Sequence, residues 1–225
     1  MSFQDFKIFT NESAGPIIKI CGLQTVEAAR RALDAGANMI GIICVPNRKR
    51  TVDPNIAKQI SAMIHGDARY EGRYLVGVFR NQSIEEVSRI AKEYGVDVVQ
   101  LHGDESWSPY HDAVNVPVIK RCVFSRDCDT VVEICHDLEN RCLPLFDSEA
   151  GGTGEVLDWD AISQWALEQH DEKIKFILAG GLVPENVNKA VKLHGVMGVD
   201  VSGGVETNGG KDMDKIDNFI KNGRK

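Results

Sequence analysis

Short apolar runs rich in β-branched residues recur along the chain: IIKIC (17–21), MIGIICV (39–45), YLVGVFR (74–80), VDVVQLH (96–102), PVIKRCVF (117–124), CLPLFD (142–147), IKFILAG (174–180) and VMGVDV (196–201). Runs of about four to eight such residues, bounded by turn formers, read as buried strands. Between them the apolar positions change to a helical period. In TVEAARRALDAGA (25–37), Ala28, Ala32 and Ala35 fall near one face and Gly36 supplies the stop. DPNIAKQISAMIH (53–65) opens with Asp53 as a cap and Pro54 at the first helical position. SIEEVSRIAKEYG (83–95) sets Ser83 and Glu86 at capping-box spacing. ESWSPYHDAV (105–114) and SRDCDTVVEICHDL (125–138) are less regular. LDWDAISQWALEQ (157–169), VPENVNKAVKLHG (183–195) and KDMDKIDNFIKNG (211–223) complete the set.

Strands and helices alternating eight times, at a spacing of roughly 20 to 30 residues, predict an α/β fold of the (β/α)8 TIM-barrel type. The rival doubly wound sheet usually opens with a Gly-x-Gly-x-x-Gly turn, and this chain has none. No proline- or serine-rich linker and no low-complexity tract divides the sequence. A single barrel domain over residues 1–225 is therefore expected, with a polar lead-in at 1–15.

Composition narrows the partners. Of the 225 residues, 43% are hydrophobic and 26% charged, the balance of an ordinary globular domain. The net charge of -7 argues against a nucleic-acid coat or an anionic-membrane binder, both of which want a basic face. It leaves room for a small anion held by one local basic cluster. The opening MSFQDFKIFTNESAG lacks the apolar core of a signal peptide, and no run approaches the roughly 18 apolar residues of a membrane span. The cysteines at 21, 44, 122, 128, 135 and 142 form no C-x-x-C pair, which reads as reduced thiols in a cytoplasmic protein. No cysteines or histidines stand at finger-like spacing, so no metal is expected.

Barrels of this type carry their chemistry at the C-terminal ends of the strands. Cys21 stands after the first strand, and Arg48, Lys49 and Arg50 after the second. Gln100 and His102 share one side of the fourth strand; Asp147 ends the sixth, before a glycine-rich stretch, EAGGTGEV, suited to a lid. Gly180 and Gly181 follow the seventh strand; Asp200, Ser202, Gly203 and Gly204 lie on and after the eighth. Two glycine-rich turns in these last two loops occupy the usual phosphate position, where backbone N–H groups can approach an oxyanion. Nearby positive charge would bring the Cys21 thiol toward neutrality and make it a usable base. Asp147 is a candidate acid, and Arg50 could pair a carboxylate bidentately. The bland alternatives are a buried cysteine acting as a small hydrophobe, a carboxylate capping a turn, and a solvated RKR run. Lys19 shares a side with Cys21 but lies deeper, which suits charge tuning better than Schiff-base chemistry. Trp107, Trp159 and Trp165 fall in helical segments as packing residues.

Taken together, KICGLQT, VPNRKRTVDP, GVFRN, VQLHGDE, PLFDSEAGGTGEVLDW, LAGGLVPENV and GVDVSGGVETNGGKD resemble the phosphoribosylanthranilate isomerases of tryptophan biosynthesis, most closely the single-function fungal form. The likeness runs from about Ile17 to the C-terminus. It implies an acid–base Amadori rearrangement of an aminoaldose, phosphoribosyl anthranilate, to the corresponding aminoketose. By the resemblance, Cys21 is the general base, Asp147 the general acid and Arg50 the partner of the anthranilate carboxylate, with Arg48 a second candidate for that contact. Gly180, Gly181, Ser202, Gly203 and Gly204 match the family's phosphate contacts, and Gln100, His102 and Asp200 are expected to line the substrate site. The substrate's own nitrogen is the electron sink, so no cofactor is implied. A small sugar-phosphate substrate and a monomeric protein are expected. Two rivals stay open on sequence: a metal-dependent sugar-phosphate epimerase, which would need more strand-end histidines than His102, and a catalytically silent sugar-phosphate-binding barrel.

Overall fold

The computed structural model describes residues 1–7, 15–148 and 157–225. Eight parallel strands close on one another in chain order: β1 (Ile17–Ile20), β2 (Met39–Ile43), β3 (Tyr74–Phe79), β4 (Val98–Leu101), β5 (Val118–Cys122), β6 (Cys142–Phe146), β7 (Phe176–Leu178) and β8 (Val196–Val201). Between and after them run α1 (Val26–Ala35), α2 (Pro54–Gly66), α3 (Ile84–Tyr94), α4 (Trp107–Val114), α5 (Cys128–Cys135), α6 (Trp159–Glu168), α7 (Val187–Ala190) and α8 (Met213–Gly223). This is the (β/α)8 barrel that the alternation predicts. A short antiparallel hairpin, β9 (Glu206–Thr207) with β10 (Gly210–Lys211), is inserted between β8 and α8.

The helix ends form where local chemistry directs them. Thr25 accepts from Ala28 N at the start of α1, and Gly36 ends it in the left-handed region at φ 107°. Asp53 accepts from both Asn55 N and Ile56 N, with Pro54 behind it. Ser83 accepts from Glu86 N, but the Glu86 carboxylate takes Gln82 Nε2 at 3.1 Å. The segment 183–195 departs most from its helical pattern: α7 is one turn of four residues. Ahead of it the Asn186 side chain accepts from Val183 N and donates to Gly181 O, folding that stretch as a loop against the strand end.

Alternation along the strands divides the core in two. Ile18, Ile20, Ile40, Ile42, Leu75 and Val99 face the helices in the larger cluster. Ile17, Met39, Val76, Val98, Ile119, Leu143 and Ile177 fill the barrel interior toward its N-terminal end. The lead-in is less polar in its role than in its composition. Phe3 and Phe6 are buried in that interior cluster, and Phe6 stacks on Tyr74 with ring centroids 3.8 Å apart. Nonpolar side chains thus plug the bottom of the barrel, and the polar inward groups gather nearer the top.

Candidate active site

Two adjoining clefts open at the C-terminal ends of the strands. One, of about 280 Å³, is lined by Cys21, Arg48, Arg50, Arg80, Gln100, His102, Asp147, Asp200 and Ser202, among others. The other, of about 340 Å³, is walled by Gly180, Gly181, Gly203, Gly204 and Glu206. Arg50, Asp147, Asp200 and Ser202 line both, so the two are halves of one mouth. Every residue expected from the sequence to act on or contact substrate lines one half or the other. The glycine-rich stretch EAGGTGEV, read as a lid, covers residues 149–156 and lies outside the described residues.

Strand register explains the centre of the site. β1 pairs with β8 so that Lys19 is opposite Asp200, and both point inward. The Lys19 ammonium is fully buried and meets Asp200 Oδ1 at 2.8 Å. Burial by itself would lower the Lys19 pKa, but the Asp200 carboxylate and the Cys21 thiol beside it raise it above the usual value. Lys19 therefore stays charged inside the barrel. Asp200, read as a substrate contact, is committed to this ion pair.

Cys21 sits directly above, and here the structure corrects an expectation. The thiol is not brought down toward neutrality. Burial dominates and pushes it up, against the opposing pull of Lys19 and, more weakly, Lys211. Cys44, a buried neighbour without such a cation, is pushed up to about 12 by burial. Room for the thiol is made by Gly41 on β2, where a Cβ would lie 2.7 Å from Cys21 Sγ and 3.1 Å from Lys19 Nζ.

Asp147 faces the same cleft from β6, three strands from β1 around the ring. Its Oδ1 accepts from Ser148 N at 2.7 Å, and His102 Nε2 lies 3.4 Å from Oδ2. Gln100 Nε2 is 3.2 Å from His102 Nδ1. Gln100 and His102 thus form a rail that fixes the Asp147 carboxyl. The carboxyl is only 7% exposed and is flanked by the glycine loop after β7.

That loop and the next need their glycines for different reasons. Gly180 and Gly181 take positive φ, 80° and 67°, which side-chain-bearing residues rarely adopt. Gly204 has no room for a Cβ, which would stand 1.8 Å from Leu182 O. The two loops therefore touch backbone to backbone, the close approach that a phosphate cradle requires.

Arg50 is half-buried and already paired. Glu206 receives Arg50 Nε at 2.6 Å and Nη2 at 2.9 Å. Lys211 Nζ reaches the same carboxylate at 2.9 Å and Ser202 O at 2.8 Å. These two cations overcome burial and hold the Glu206 carboxyl down at about 2. Arg48 is exposed at the cleft edge. Three charged residues at the mouth escape the sequence reading: Arg80 and Glu206, which line it, and Lys211, which pairs with Glu206. Arg80 carries a usable signal, an inward position one past the end of β3. Glu206 and Lys211 carry none, because only the folded hairpin brings them to Arg50.

No group of three or more His, Cys, Asp or Glu that could hold a metal ion occurs among the described residues, and no helix there is long and apolar enough to cross a membrane.

The family described as N-(5'phosphoribosyl)anthranilate (PRA) isomerase matches residues 18–222 of this chain. The N-(5'-phosphoribosyl)anthranilate isomerase of Saccharomyces kudriavzevii is 57% identical over 228 residues, spanning 100% of this chain and 99% of the relative. That of Saccharomyces cerevisiae is 56% identical over 216 residues, covering 95% of this chain and 96% of its own. Among solved structures, phosphoribosyl anthranilate isomerase from Thermotoga maritima superposes with a TM-score of 0.76 at 32% identity, covering 92% of this chain and 98% of that one. A second structure, of phosphoribosyl anthranilate isomerase in complex with reduced 1-(o-carboxyphenylamino)-1-deoxyribulose 5-phosphate, aligns at 30% identity and a TM-score of 0.74, with 92% and 98% covered.

Proposed function

Because the chain belongs to the N-(5'-phosphoribosyl)anthranilate isomerase family, we propose that its mouth converts that aminoaldose to 1-(2-carboxyphenylamino)-1-deoxyribulose 5-phosphate, a step of tryptophan biosynthesis, with Cys21 as base and Asp147 as acid. The observation that carries the assignment is their shared cleft: thiol and carboxyl face one cavity from β1 and β6, between a double glycine loop and an arginine.

The chemistry follows from these groups. Asp147 gives its proton to the furanose ring oxygen as the C1–O bond breaks. The lone pair of the anthranilate nitrogen forms the C1=N bond in the same step. The protonated imine acidifies the hydrogen on C2, and the Cys21 thiolate takes it. The electron pair left behind makes an enolamine, which tautomerises to the ketone. The glycine loops bind the phosphate and the Arg50 guanidinium takes the anthranilate carboxylate. Gln100 and His102 hold Asp147 to its task. Asp200 acts through Lys19, whose charge opposes the effect of burial on the thiol.

Further expectations attach to this reading. The protein is read as one barrel domain acting as a monomer. Six free cysteines suit a cytoplasmic site of action.

Turnover of phosphoribosyl anthranilate by the purified protein, beside its Cys21→Ser variant, tests the reading. A hydroxyl is too weak an acid to replace the thiolate. The variant should be slower by at least about 10²-fold, the low end for a positioned base. Equal rates would remove Cys21 from the reaction, and no turnover by the wild-type protein would remove the reading itself.

A further inference from the structure

An arginine side chain has five N–H donors arranged along two usable edges. The side-on edge joins Nε to one terminal nitrogen; the end-on edge joins the two terminal nitrogens. Glu206 occupies the side-on edge of Arg50 completely, through Nε and Nη2. The end-on edge, Nη1 with the second hydrogen of Nη2, is the one left for a ligand.

We propose that Glu206 is a positioning residue of this site: it clamps the side-on edge of Arg50 and thereby turns the end-on edge to the carboxylate of the substrate. The proposal rests on the reading that Arg50 binds that carboxylate.

The clamp is itself anchored on three sides. Lys211 Nζ holds the Glu206 carboxylate at 2.9 Å, and Lys215 Nζ holds its backbone carbonyl at 2.8 Å. The hairpin of β9 and β10 puts Lys211 and Glu206 opposite each other in register. The stem of Arg50 is confined as well. Its Cδ lies 2.9 Å from where a Gly22 Cβ would stand, and its Nη2 3.4 Å from that of Gly203. Arg50 therefore has little room to swing and one defined edge to offer. The charge balance also fits. One carboxylate between two cations leaves a single net positive charge, matched to one incoming carboxylate. Without Glu206, Arg50 would lose both acceptors on its side-on edge and face the Lys211 charge directly. A carboxylate docked on the end-on edge gives a planar, bidentate contact, the geometry in which arginine outperforms lysine.

The experiment uses two substrates, phosphoribosyl anthranilate and its aniline counterpart lacking the carboxylate, with the wild type, Glu206→Ala, Glu206→Gln, Arg50→Ala and the Arg50→Ala/Glu206→Ala double variant. Misorienting one binding group should raise KM for the carboxylate substrate by roughly 10- to 100-fold in Glu206→Ala, with kcat within a few-fold. KM for the aniline substrate should stay unchanged. Glu206→Gln keeps one acceptor for Nε and should fall between wild type and Glu206→Ala. In the Arg50→Ala background, loss of Glu206 should add little. A KM for the carboxylate substrate that is unchanged or lowered in Glu206→Ala overturns the proposal; a lowered value means that Glu206 merely competes for Arg50. An equal rise for both substrates also overturns it, since that is general damage to the site. If Arg50→Ala discriminates between the substrates as the wild type does, the underlying reading of Arg50 falls and takes the proposal with it. If Arg50→Ala loses discrimination while Glu206→Ala keeps it, only the proposal falls.

Discussion

Replacing Lys19 by methionine tests how a buried thiol can serve as a base. Methionine keeps most of the length of the side chain and removes its charge. Lys19 Nζ and Cys21 Sγ both lie close to the point where a Gly41 Cβ would stand, which limits their separation to about 6 Å. At an effective dielectric constant of about 20, two unit charges at that distance interact by roughly 3 kcal/mol. Losing that attraction lowers the thiolate population at a fixed neutral pH by on the order of 100-fold. The sign follows from the direction of the wild-type shift. Burial already holds Cys21 protonated above its ordinary range, so the active, deprotonated form grows as pH rises. Wild-type kcat/KM should climb from neutral into alkaline pH, and the rising limb of Lys19→Met should lie at still higher pH. The assay is kcat/KM across that range, with folding checked by thermal melting, because Asp200 is left as an unpaired buried charge. Removing one partner of a buried pair costs about 3–5 kcal/mol of stability. Destabilisation alone does not move a pH profile. A rising limb that superimposes on the wild type would refute the electrostatic role of Lys19, however unstable the variant proves.

Asp147→Asn keeps the side-chain shape but has no proton to transfer, so turnover should drop by about 10²- to 10⁴-fold while a product analogue still binds within several-fold; an unchanged rate would mean that the acid lies elsewhere. Gly41→Ala pushes a methyl to 2.7 Å from Cys21 Sγ and should lose about 1–3 kcal/mol in urea unfolding together with activity; a wild-type midpoint and rate would show that the thiol is not confined there. Glu206 is held at about 2 against an ordinary value of 4.5, so its stabilisation is complete above about pH 4.5 and drains away as pH falls toward 2. The stability gap between wild type and Glu206→Gln should accordingly be larger at pH 6 than at pH 3, and a constant gap would contradict that.

What could be read from the chain was what depends on nearest neighbours and on period. Strand runs, the Thr25, Asp53 and Ser83 caps and the Gly36 stop each need only a few adjacent residues, and all appear in the fold. The strand-end rule gathered the lining residues because chain order alone fixes which end of a parallel barrel carries which loops. Three things needed the assembled molecule. The partner of Lys19 depends on the β1–β8 register, which joins residues 181 positions apart. The partner of Arg50 depends on a two-strand hairpin too short to show a pattern. The direction of the Cys21 shift depends on a contest between burial and charge that residue types do not decide. The shortness of α7 belongs with these, since Asn186 spends its side chain on the preceding loop rather than on a cap.

The inward face of the barrel has a vertical order with a consequence for function. Toward the N-terminal end its residues are apolar and are sealed by Phe3 and Phe6. Toward the mouth the inward positions include Lys19, Gln100, Arg121, Asp147 and Asp200, each at least nine-tenths buried. Apolar side chains of similar volume would stabilise this layer at least as well, because desolvating a charge costs several kcal/mol and a buried ion pair seldom does more than recover that cost. Selection for stability would have continued the lower layers upward. Charges retained where they are expensive point to use, and here the use is specific. Lys19 needs burial to act on Cys21, since water would screen it, and it needs Asp200 to remain charged while buried. The ion pair and the raised thiol are therefore coupled: burial pushes the Cys21 thiol up, and Lys19, kept charged by Asp200, opposes that push without overcoming it.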